Sequence, residues 1–262
     1  QKTAYEIRNC DWSSDVCSSD LDAARVRKSV HEIAAARVRH PGFPILHGLE
    51  VDILGDGTLD LDDETLALLD WVIVSIHSRF DQSPEVATER ALRAVSNPWV
   101  HAFGHPTGRL IGSREPVAFD IERVTEAAAA HGVAMEINAA PDRLDLSDVH
   151  ARIARAKGCR FVIDTDAHSI AQLDNLRWGV FQARRAGLTK ADVLNALPWS
   201  RFEKGLARPR PGASAPKPEA PARTAKPPRK PAAKAKSKAT SKPSTAKKTR
   251  TPSAKRTTKK KT

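Results

Sequence analysis

The sequence predicts an α/β fold built on a mostly parallel sheet, and two patterns carry that prediction. From Leu21 onward, segments with apolar residues at three- and four-residue steps alternate with short apolar runs. Five of these runs are each followed by a helical pattern. Such alternation is typical of parallel strands joined by crossover helices. The pattern ends near Leu206, so residues 21–206 are expected to form the folded domain.

The predicted elements follow one another at short intervals. The first helix is indicated by the spacing of Val26, Val30, Ile33 and Val38, and Pro84 marks the start of a later one. The predicted strands cover residues 45–53, 71–76, 99–104, 133–138 and 160–164. The predicted helices cover residues 21–39, 61–69, 84–94, 121–131, 147–157, 170–185 and 190–197.

Charge divides the chain into a mildly acidic body and a basic tail. Residues 208–262 contain 19 of the 43 lysine and arginine residues but one of the 31 acids, and they include no aromatic or β-branched aliphatic residue. Because it has nothing to bury, the tail at 207–262 is expected to be disordered. Clustered cations bind phosphate backbones by releasing counterions, which predicts DNA as a partner; a solubilising linker is the alternative.

The first twenty residues do not continue the pattern. They include Cys-Asp-Trp-Ser-Ser-Asp-Val-Cys-Ser-Ser-Asp, which has no strand or helix periodicity, so residues 1–20 are expected to be non-native or disordered; a natural loop is the alternative. Cys10 and Cys17 fit no disulfide framework, Cys159 is expected to be a buried small residue, and no disulfide-linked partner is expected. With no membrane-length apolar run and no secretory leader, a cytoplasmic protein without a membrane partner is expected, and association with the nucleoid is the alternative location.

Four predicted strands carry a carboxylate or an imidazole at or near their carboxyl ends. Glu50 lies in the first strand, His77 and His105 follow two others, and Asp166 and His168 follow the last. In a parallel β/α fold these ends share one face, where active sites are built. A buried, hydrogen-bonded side chain would explain any one of these residues. Repetition at the same position on successive strands favours a shared site.

The mixture of imidazole and carboxylate favours zinc, manganese or iron over calcium, which prefers oxygen ligands alone. Asp166 and His168 reach one metal either from extended backbone or if the chain turns between them. Glu50 and Asp52 share a strand face, so the residues alone leave open which binds the metal and which supports a ligand.

Five short motifs lie along the chain near the ends of the predicted strands. They are Gly48-Leu49-Glu50-Val51-Asp52-Ile53-Leu54, Ser75-Ile76-His77-Ser78-Arg79-Phe80, Gly104-His105-Pro106-Thr107-Gly108-Arg109-Leu110, Glu136-Ile137-Asn138-Ala139 and Thr165-Asp166-Ala167-His168-Ser169. In this order they resemble the motifs of the PHP (polymerase and histidinol phosphatase) family. The likeness is greatest to the C-terminal PHP domain of bacterial family X DNA polymerases and covers residues 21–206.

The resemblance implies a distorted (β/α)7-type barrel around a cluster of divalent metals, manganese or zinc, with iron or magnesium as alternatives. The metal ligands that it implies are Glu50, His77, His105, Asp166 and His168. The phosphate contacts that it implies are Arg79, Arg109 and Arg143. The implied activity is metal-dependent phosphoester hydrolysis, of the 3′-5′ exonuclease type on DNA ends. A stand-alone phosphatase acting on small molecules such as histidinol phosphate and an inactive DNA-binding remnant are the alternatives.

One part of the family pattern is absent. Family members begin with an H-x-H motif and further ligands before the first helix seen here, and residues 9–20 stand in that place. Nearly half of the expected ligands are therefore missing. We expect a barrel that is incomplete at its N-terminus, and little phosphoesterase activity even with added manganese.

Overall fold

The computed structural model describes residues 23–206. The predictions for residues 1–22, including Cys10 and Cys17, and for the tail from residue 207 onward lie outside the described residues. The helices are α1 (Ala23–Arg39), α2 (Asp63–Leu66), α3 (Pro84–Val95), α4 (Ile121–Ala130), α5 (Asp148–Ala156), α6 (Leu176–Arg185) and α7 (Trp199–Phe202). The strands are β1 (Gly48–Asp52), β2 (Trp71–Ser75), β3 (Ala102–Phe103), β4 (Ala134–Asn138) and β5 (Phe161–Asp164). Turns of 3₁₀ helix cover Ile170–Asn175, Leu194–Ala196 and Glu203–Leu206.

The five strands form one parallel sheet in the order β1-β2-β3-β4-β5. Sequential parallel strands need crossovers of one hand, which place the connecting helices on one side of the sheet. Neighbouring helices pack accordingly, α3 against α4, α4 against α5 and α5 against α6. The predicted α/β class is confirmed. Within residues 23–206 the sheet is an open arc rather than a closed ring, in the strand order that a β/α barrel uses.

The two faces of the sheet have different surroundings. Alternate residues of the strands point toward the helices and form the main core with them, among them Val51, Val74, Phe103, Met135 and Ile137. The opposite face, called here the inner face, is apolar near the amino ends of the strands, where Trp71, Ala102, Ala134 and Val162 pack against Phe202 of α7. The carboxyl ends of the inner face are left for polar side chains.

Local sequence signals explain where the helices start. Ser83, Asp120 and Ser147 each precede a helix and accept a hydrogen bond from a backbone N–H in its first turn. Asp62 does the same for α2. After α4, Gly132 adopts φ +67°, which ends the helix and lets β4 begin two residues later.

The predicted helix at 190–197 is wrong. Val193 forms a parallel bridge with Phe161, and the Phe161 N–H donates to the carbonyl of Asp192. The side-chain amide of Asn195 exchanges two hydrogen bonds with the backbone of Ile163, at 3.1 and 2.6 Å. This segment therefore continues the sheet beside β5, with one 3₁₀ turn, and a short helix follows only after Pro198.

Other predicted elements are shorter in the structure. The strand expected at 45–53 covers Gly48–Asp52, and the helix expected at 170–185 begins as 3₁₀ turns, with α6 starting only at Leu176. The strand expected at 99–104 is reduced to Ala102–Phe103, because Asn97 holds a turn by accepting from the N–H groups of Trp99 and Val100. The helix expected at 61–69 covers only Asp63–Leu66.

Cys159 is a buried free thiol, as predicted. Its sulfur lies 3.0 Å from the carbonyl oxygen of Thr125, and burial raises its pKa to about 12. Among the described residues, no helix combines the length and apolar character needed to cross a membrane.

Arg90 ties the loops after β1 and β2 together and generates a stability prediction. The side chain is buried, with Nε 2.9 Å from the Leu54 carbonyl, Nη1 2.8 Å from the Ser78 carbonyl and Nη2 bonded to the Ile53 carbonyl. Arg90→Met removes all three hydrogen bonds; the Leu54 carbonyl keeps a second donor, the N–H of Gly57, but those of Ile53 and Ser78 lose the guanidinium. We therefore expect a loss of about 3 kcal/mol in the free energy of unfolding, measured by urea denaturation.

The matched control is Arg93→Met, one turn away on the same helix. Arg93 pairs with Asp56 at 3.3 Å, and both side chains are more than half exposed. An exposed pair contributes at most about 1 kcal/mol. Equal losses from the two substitutions would contradict the role given to Arg90.

Candidate metal centre

Polar side chains gather at the carboxyl ends of the strands on the inner face. β1 contributes Glu50 and Asp52, β4 contributes Glu136 and Asn138, and β5 contributes Asp164. Residues two apart on a strand point to the same side, so each strand directs its polar groups to one place. The sheet therefore concentrates carboxyl groups at the end opposite α7.

Glu50, His77 and His105, called here the metal trio, bring three potential ligand atoms together. Oε1 of Glu50 lies 2.9 Å from Nε2 of His105 and 3.3 Å from Nε2 of His77, and the two Nε2 atoms are 3.4 Å apart. Ligand atoms about 2.1 Å from a metal are about 3.0 Å apart at a right angle and about 3.4 Å apart at the tetrahedral angle. The trio has these separations, so its donors fit an ion such as zinc or manganese.

His105 is the most buried member of the trio, with 3 % of its side chain exposed. Its Nδ1 has no hydrogen-bond partner among the described residues. Its backbone N–H donates to a carboxyl oxygen of Glu136. The ring is thus placed from the main chain, and Nε2 is directed at Glu50.

Asp52 supports His77 from behind. Its Oδ1 lies 2.6 Å from Nδ1 of His77, which leaves Nε2 of the ring facing Glu50. A carboxylate in this position fixes the orientation of a metal-binding imidazole and raises its basicity. Of the two carboxylates between which the sequence left the choice open, Glu50 lies within the trio and Asp52 lies behind it, against His77.

The charges of the trio depend on one another. Burial disfavours the charged form of His77, but hydrogen bonds and charges of Asp52 and Glu50 outweigh it and raise the pKa of His77 to about 10. Burial likewise opposes ionisation of Glu50, yet His105 and His77 hold its pKa well below the ordinary value. Protonated His77 therefore stabilises the metal-free fold fully below pH of about 6.5, and this contribution is lost as the pH rises through about 10. A metal ion that binds Nε2 of His77 would have to displace the proton from that atom.

Two further carboxyl groups, Glu136 and Asp164, lie beside the trio. Burial raises the pKa of Glu136 well above its usual range, and the charge of Asp164 and a hydrogen bond to it act in the same direction. Burial, with the charges of Asp166 and Glu50, raises the pKa of Asp164 to about 6. Burial and the neighbouring charges therefore favour the protonated form of Glu136, with the Asp164 carboxyl as its hydrogen-bond partner.

Asp166 and His168 lie outside the metal trio, and the charge of Asp166 acts on both of these carboxyl groups. Asp166 adopts φ +47°, so the chain leaves the extended form there. Its carboxylate accepts from Nδ2 of Asn138 at 3.3 Å. Nδ1 of His168 donates to the backbone oxygen of Asp166 at 2.8 Å, and 59 % of the His168 side chain is exposed. Their role as ligands remains a prediction.

The three arginines suggested as phosphate contacts occupy different positions. Arg79 is exposed, has φ +54°, and its side chain makes no hydrogen bond to the described residues. Nε of Arg109 donates to the Arg143 carbonyl at 2.8 Å, and Nη2 donates to the Leu144 carbonyl. Nε of Arg143 lies 3.7 Å from Oδ2 of Asp166. Of the three, Arg143 is the one in ion-pair contact with a predicted ligand.

Comparison with known proteins places this site in a family context. No protein-family model matches the chain. The chain is 43 % identical over 191 residues to the DNA polymerase/3′-5′ exonuclease PolX of Bacillus subtilis, covering 73 % of this chain and 34 % of the relative. It is 32 % identical over 164 residues to a probable phosphatase of Thermoanaerobacter sp. strain X514, covering 59 % and 64 %. The chain contains a PHP domain related to family X DNA polymerases.

The match extends over only part of these relatives. The chain spans about a third of the polymerase and just under two thirds of the phosphatase. A probable phosphatase of Caldanaerobacter subterraneus, 34 % identical over 137 residues, is covered to 52 % of its length. The family resemblance inferred from the five motifs is confirmed for the PHP domain.

Sequence analysis of the PHP domain did not select Glu136 and Asp164 as site residues. Each is a single acid at an inner-face position of an otherwise apolar strand, in Ala-Met-Glu-Ile-Asn and Phe-Val-Ile-Asp. A carboxyl group within an otherwise apolar strand costs free energy unless it has a partner, and this signal was present in the sequence.

The position of Asp52 predicts that it affects metal binding without touching the metal. We expect Asp52→Asn to weaken Mn²⁺ or Zn²⁺ binding by roughly tenfold or more, measured by isothermal titration calorimetry at constant pH, because the carboxylate no longer orients and polarises His77. Asp56→Asn, an exposed carboxylate four residues on, is the control and should bind as the wild type does. Unchanged affinity in Asp52→Asn would refute the support role.

Proposed function

We propose that this PHP domain hydrolyses phosphodiester bonds at the 3′ ends of DNA, as part of a family X DNA polymerase. The observation that carries the proposal is the metal trio at the carboxyl ends of the strands. The polymerase relative is named as a 3′-5′ exonuclease and matches 73 % of the chain, which supports this assignment over other phosphoester substrates.

The chemistry follows from the donors present. Divalent metals held by the trio, with Asp166 and His168 as further ligands, would supply an ionised water at neutral pH and positive charge opposite the phosphate. Manganese or zinc suits the mixed nitrogen and oxygen donors best. Asp52 keeps the His77 ring oriented, and Glu136 holds the backbone of His105. Nε of Arg143 lies 3.7 Å from Oδ2 of Asp166, at the edge of the carboxyl cluster, which supports a role for this side chain in binding a phosphate oxygen.

DNA is favoured over a small metabolite by features outside the site. The tail with its 19 cations is suited to a phosphate backbone, and such steering raises the rate at which a polyanion meets the site. The second candidate is a phosphatase acting on small monoesters, supported by the probable phosphatases among the relatives. The third, an inactive DNA-binding remnant, is disfavoured because all five predicted ligand positions carry ligand residues.

The proposal predicts a substrate preference. With Mn²⁺, the chain should release nucleotides from the 3′ end of labelled single-stranded DNA faster than phosphate from histidinol phosphate. We expect slow turnover, well below that of the B. subtilis relative assayed alongside, because residues 1–20 carry no H-x-H motif. Denaturing gels and malachite-green detection follow the two reactions.

Two variants control this assay. His105→Ala removes a member of the trio and should abolish nucleotide release, and His40→Ala, an exposed histidine after α1, should not. Faster hydrolysis of the small monoester would favour the phosphatase candidate. Activity that survives His105→Ala would show that the trio is not the site.

The tail generates a separate prediction. Binding of the full chain to duplex DNA should weaken steeply as salt rises, because each tail cation that contacts a phosphate releases a counterion. A full-length variant with glutamine in place of the lysines and arginines of residues 208–262 should show a much shallower salt dependence by fluorescence anisotropy. The same slope in both proteins would assign DNA binding to the folded domain.

A further inference from the structure

We infer that Arg109 is a positioning residue, which fixes the loop that carries Arg143 and so holds Arg143 toward phosphate at the metal centre. The inference rests on the proposed function for its phosphate. It goes beyond that function by giving two of the three suggested arginines different tasks. The segment 140–146 is called here the Arg143 loop.

The donors of Arg109 are directed at main chain. Nε donates to the carbonyl of Arg143 at 2.8 Å, and Nη2 donates to the carbonyl of Leu144. A guanidinium that binds two consecutive carbonyls uses its planar fork on the backbone, a task that a lysine ammonium performs poorly. With these donors engaged, Arg109 holds the loop rather than a ligand.

Two other side chains hold the Arg143 loop beside Arg109. Asp145 is fully buried, and its carboxylate accepts from the backbone N–H and the hydroxyl of Thr107, both at 2.9 Å. Nε2 of Gln182, on α6, donates to the carbonyls of Leu144 and Leu146 at 3.3 and 3.2 Å. The loop needs such support because Leu144 adopts φ +44°, a conformation that costs free energy for a leucine.

With the loop backbone held by these contacts, the guanidinium of Arg143 is directed at the carboxyl groups of the site. Nε lies 3.7 Å from Oδ2 of Asp166, and Nη1 is buried without a hydrogen-bond partner among the described residues. A buried donor without a partner is costly and is satisfied by an anion or a water that binds there. A phosphate oxygen at the metal centre meets this need.

The contacts from Thr107 and Arg109 also connect the Arg143 loop to the metal trio through one short motif. His105, Thr107 and Arg109 alternate along Gly-His-Pro-Thr-Gly-Arg, so the segment that supplies a trio histidine also supplies two of the contacts to the Arg143 loop. Gly108, with φ +61°, permits the turn, and a side chain there would collide with Phe80. The six residues Gly104–Arg109 therefore link the position of His105 in the trio to the position of the Arg143 loop.

The test measures two quantities on the full chain: affinity for inorganic phosphate with Mn²⁺ present, by equilibrium dialysis, and hydrogen exchange of the Arg143 loop without metal. Arg143→Met should weaken phosphate binding by roughly tenfold or more, since a charge-assisted hydrogen bond is lost. Arg109→Met should weaken it by a similar factor and should accelerate exchange of the loop amides. Mn²⁺ affinity should change little in either variant.

The double variant separates positioning from direct contact. If Arg109 acts through Arg143, the Arg109→Met/Arg143→Met protein binds phosphate about as weakly as Arg143→Met alone. If the two losses multiply, Arg109 contacts phosphate itself and the inference is overturned. Arg37→Met is the matched control, because Nε of Arg37 also donates to a carbonyl, that of Ile45 at 2.9 Å, and its ion pair is with Asp70, neither of which belongs to the Arg143 loop. Equal effects from Arg37→Met would mean general loosening and would also overturn it.

Failure of the inference and failure of the proposed function give different results. If the wild-type protein binds no phosphate with Mn²⁺, the proposed function fails and the phosphate task of Arg143 fails with it, even if Arg109→Met accelerates loop exchange. If the wild type binds phosphate while Arg109→Met changes neither affinity nor exchange, the positioning role alone is refuted.

Discussion

The close approach of acidic groups and imidazoles at the carboxyl ends of the sheet is the constraint on which the site depends. Glu50 lies between His77 and His105, and beside them lie Glu136, which is buried, and Asp164, which is half-buried. Carboxylates so close together in a medium of low polarity cannot all be ionised. Protonation relieves this constraint: burial and neighbouring charge raise the pKa of Glu136, and the carboxylates of Asp52 and Glu50 raise that of His77, so that each favours its proton. A divalent cation would replace those protons, so metal binding and proton release belong to one equilibrium.

The backbone of the loops around this centre is not paired with neighbouring strands, and arginine side chains donate to its carbonyl groups instead. Arg90, from α3, binds carbonyls after β1 and β2, while Arg109 binds carbonyls of the loop after β4. Both use the guanidinium fork to satisfy several backbone oxygens at once. The effect is to hold irregular chain rigidly next to the metal trio, where an error of about 1 Å in the position of a catalytic group is costly.

Much of this fold could be predicted from the sequence, because strand alternation and helix capping are local signals. The residues at strand ends also predicted Glu50, His77 and His105 as neighbours, since parallel strands bring their carboxyl ends to one face. The helix expected at 190–197 failed for a nonlocal reason. Its residues satisfy the backbone of β5 through Val193 and Asn195, about 30 residues away, and no local pattern reports that pairing. Likewise, the motif around Arg109 did not show whether the side chain faces backbone or solvent.

A phosphomonoester and a DNA strand differ in how far the substrate extends beyond the phosphate. A monoester ends at the phosphate, and Arg143, 3.7 Å from Oδ2 of Asp166, is the arginine in ion-pair contact with a predicted ligand. A DNA strand continues past the site and needs further cations along its path. Arg79 stands exposed two residues after His77, and its side chain makes no hydrogen bond within residues 23–206, so it is free to meet a neighbouring phosphate. Together with the cationic tail, this arrangement favours a substrate longer than one nucleotide.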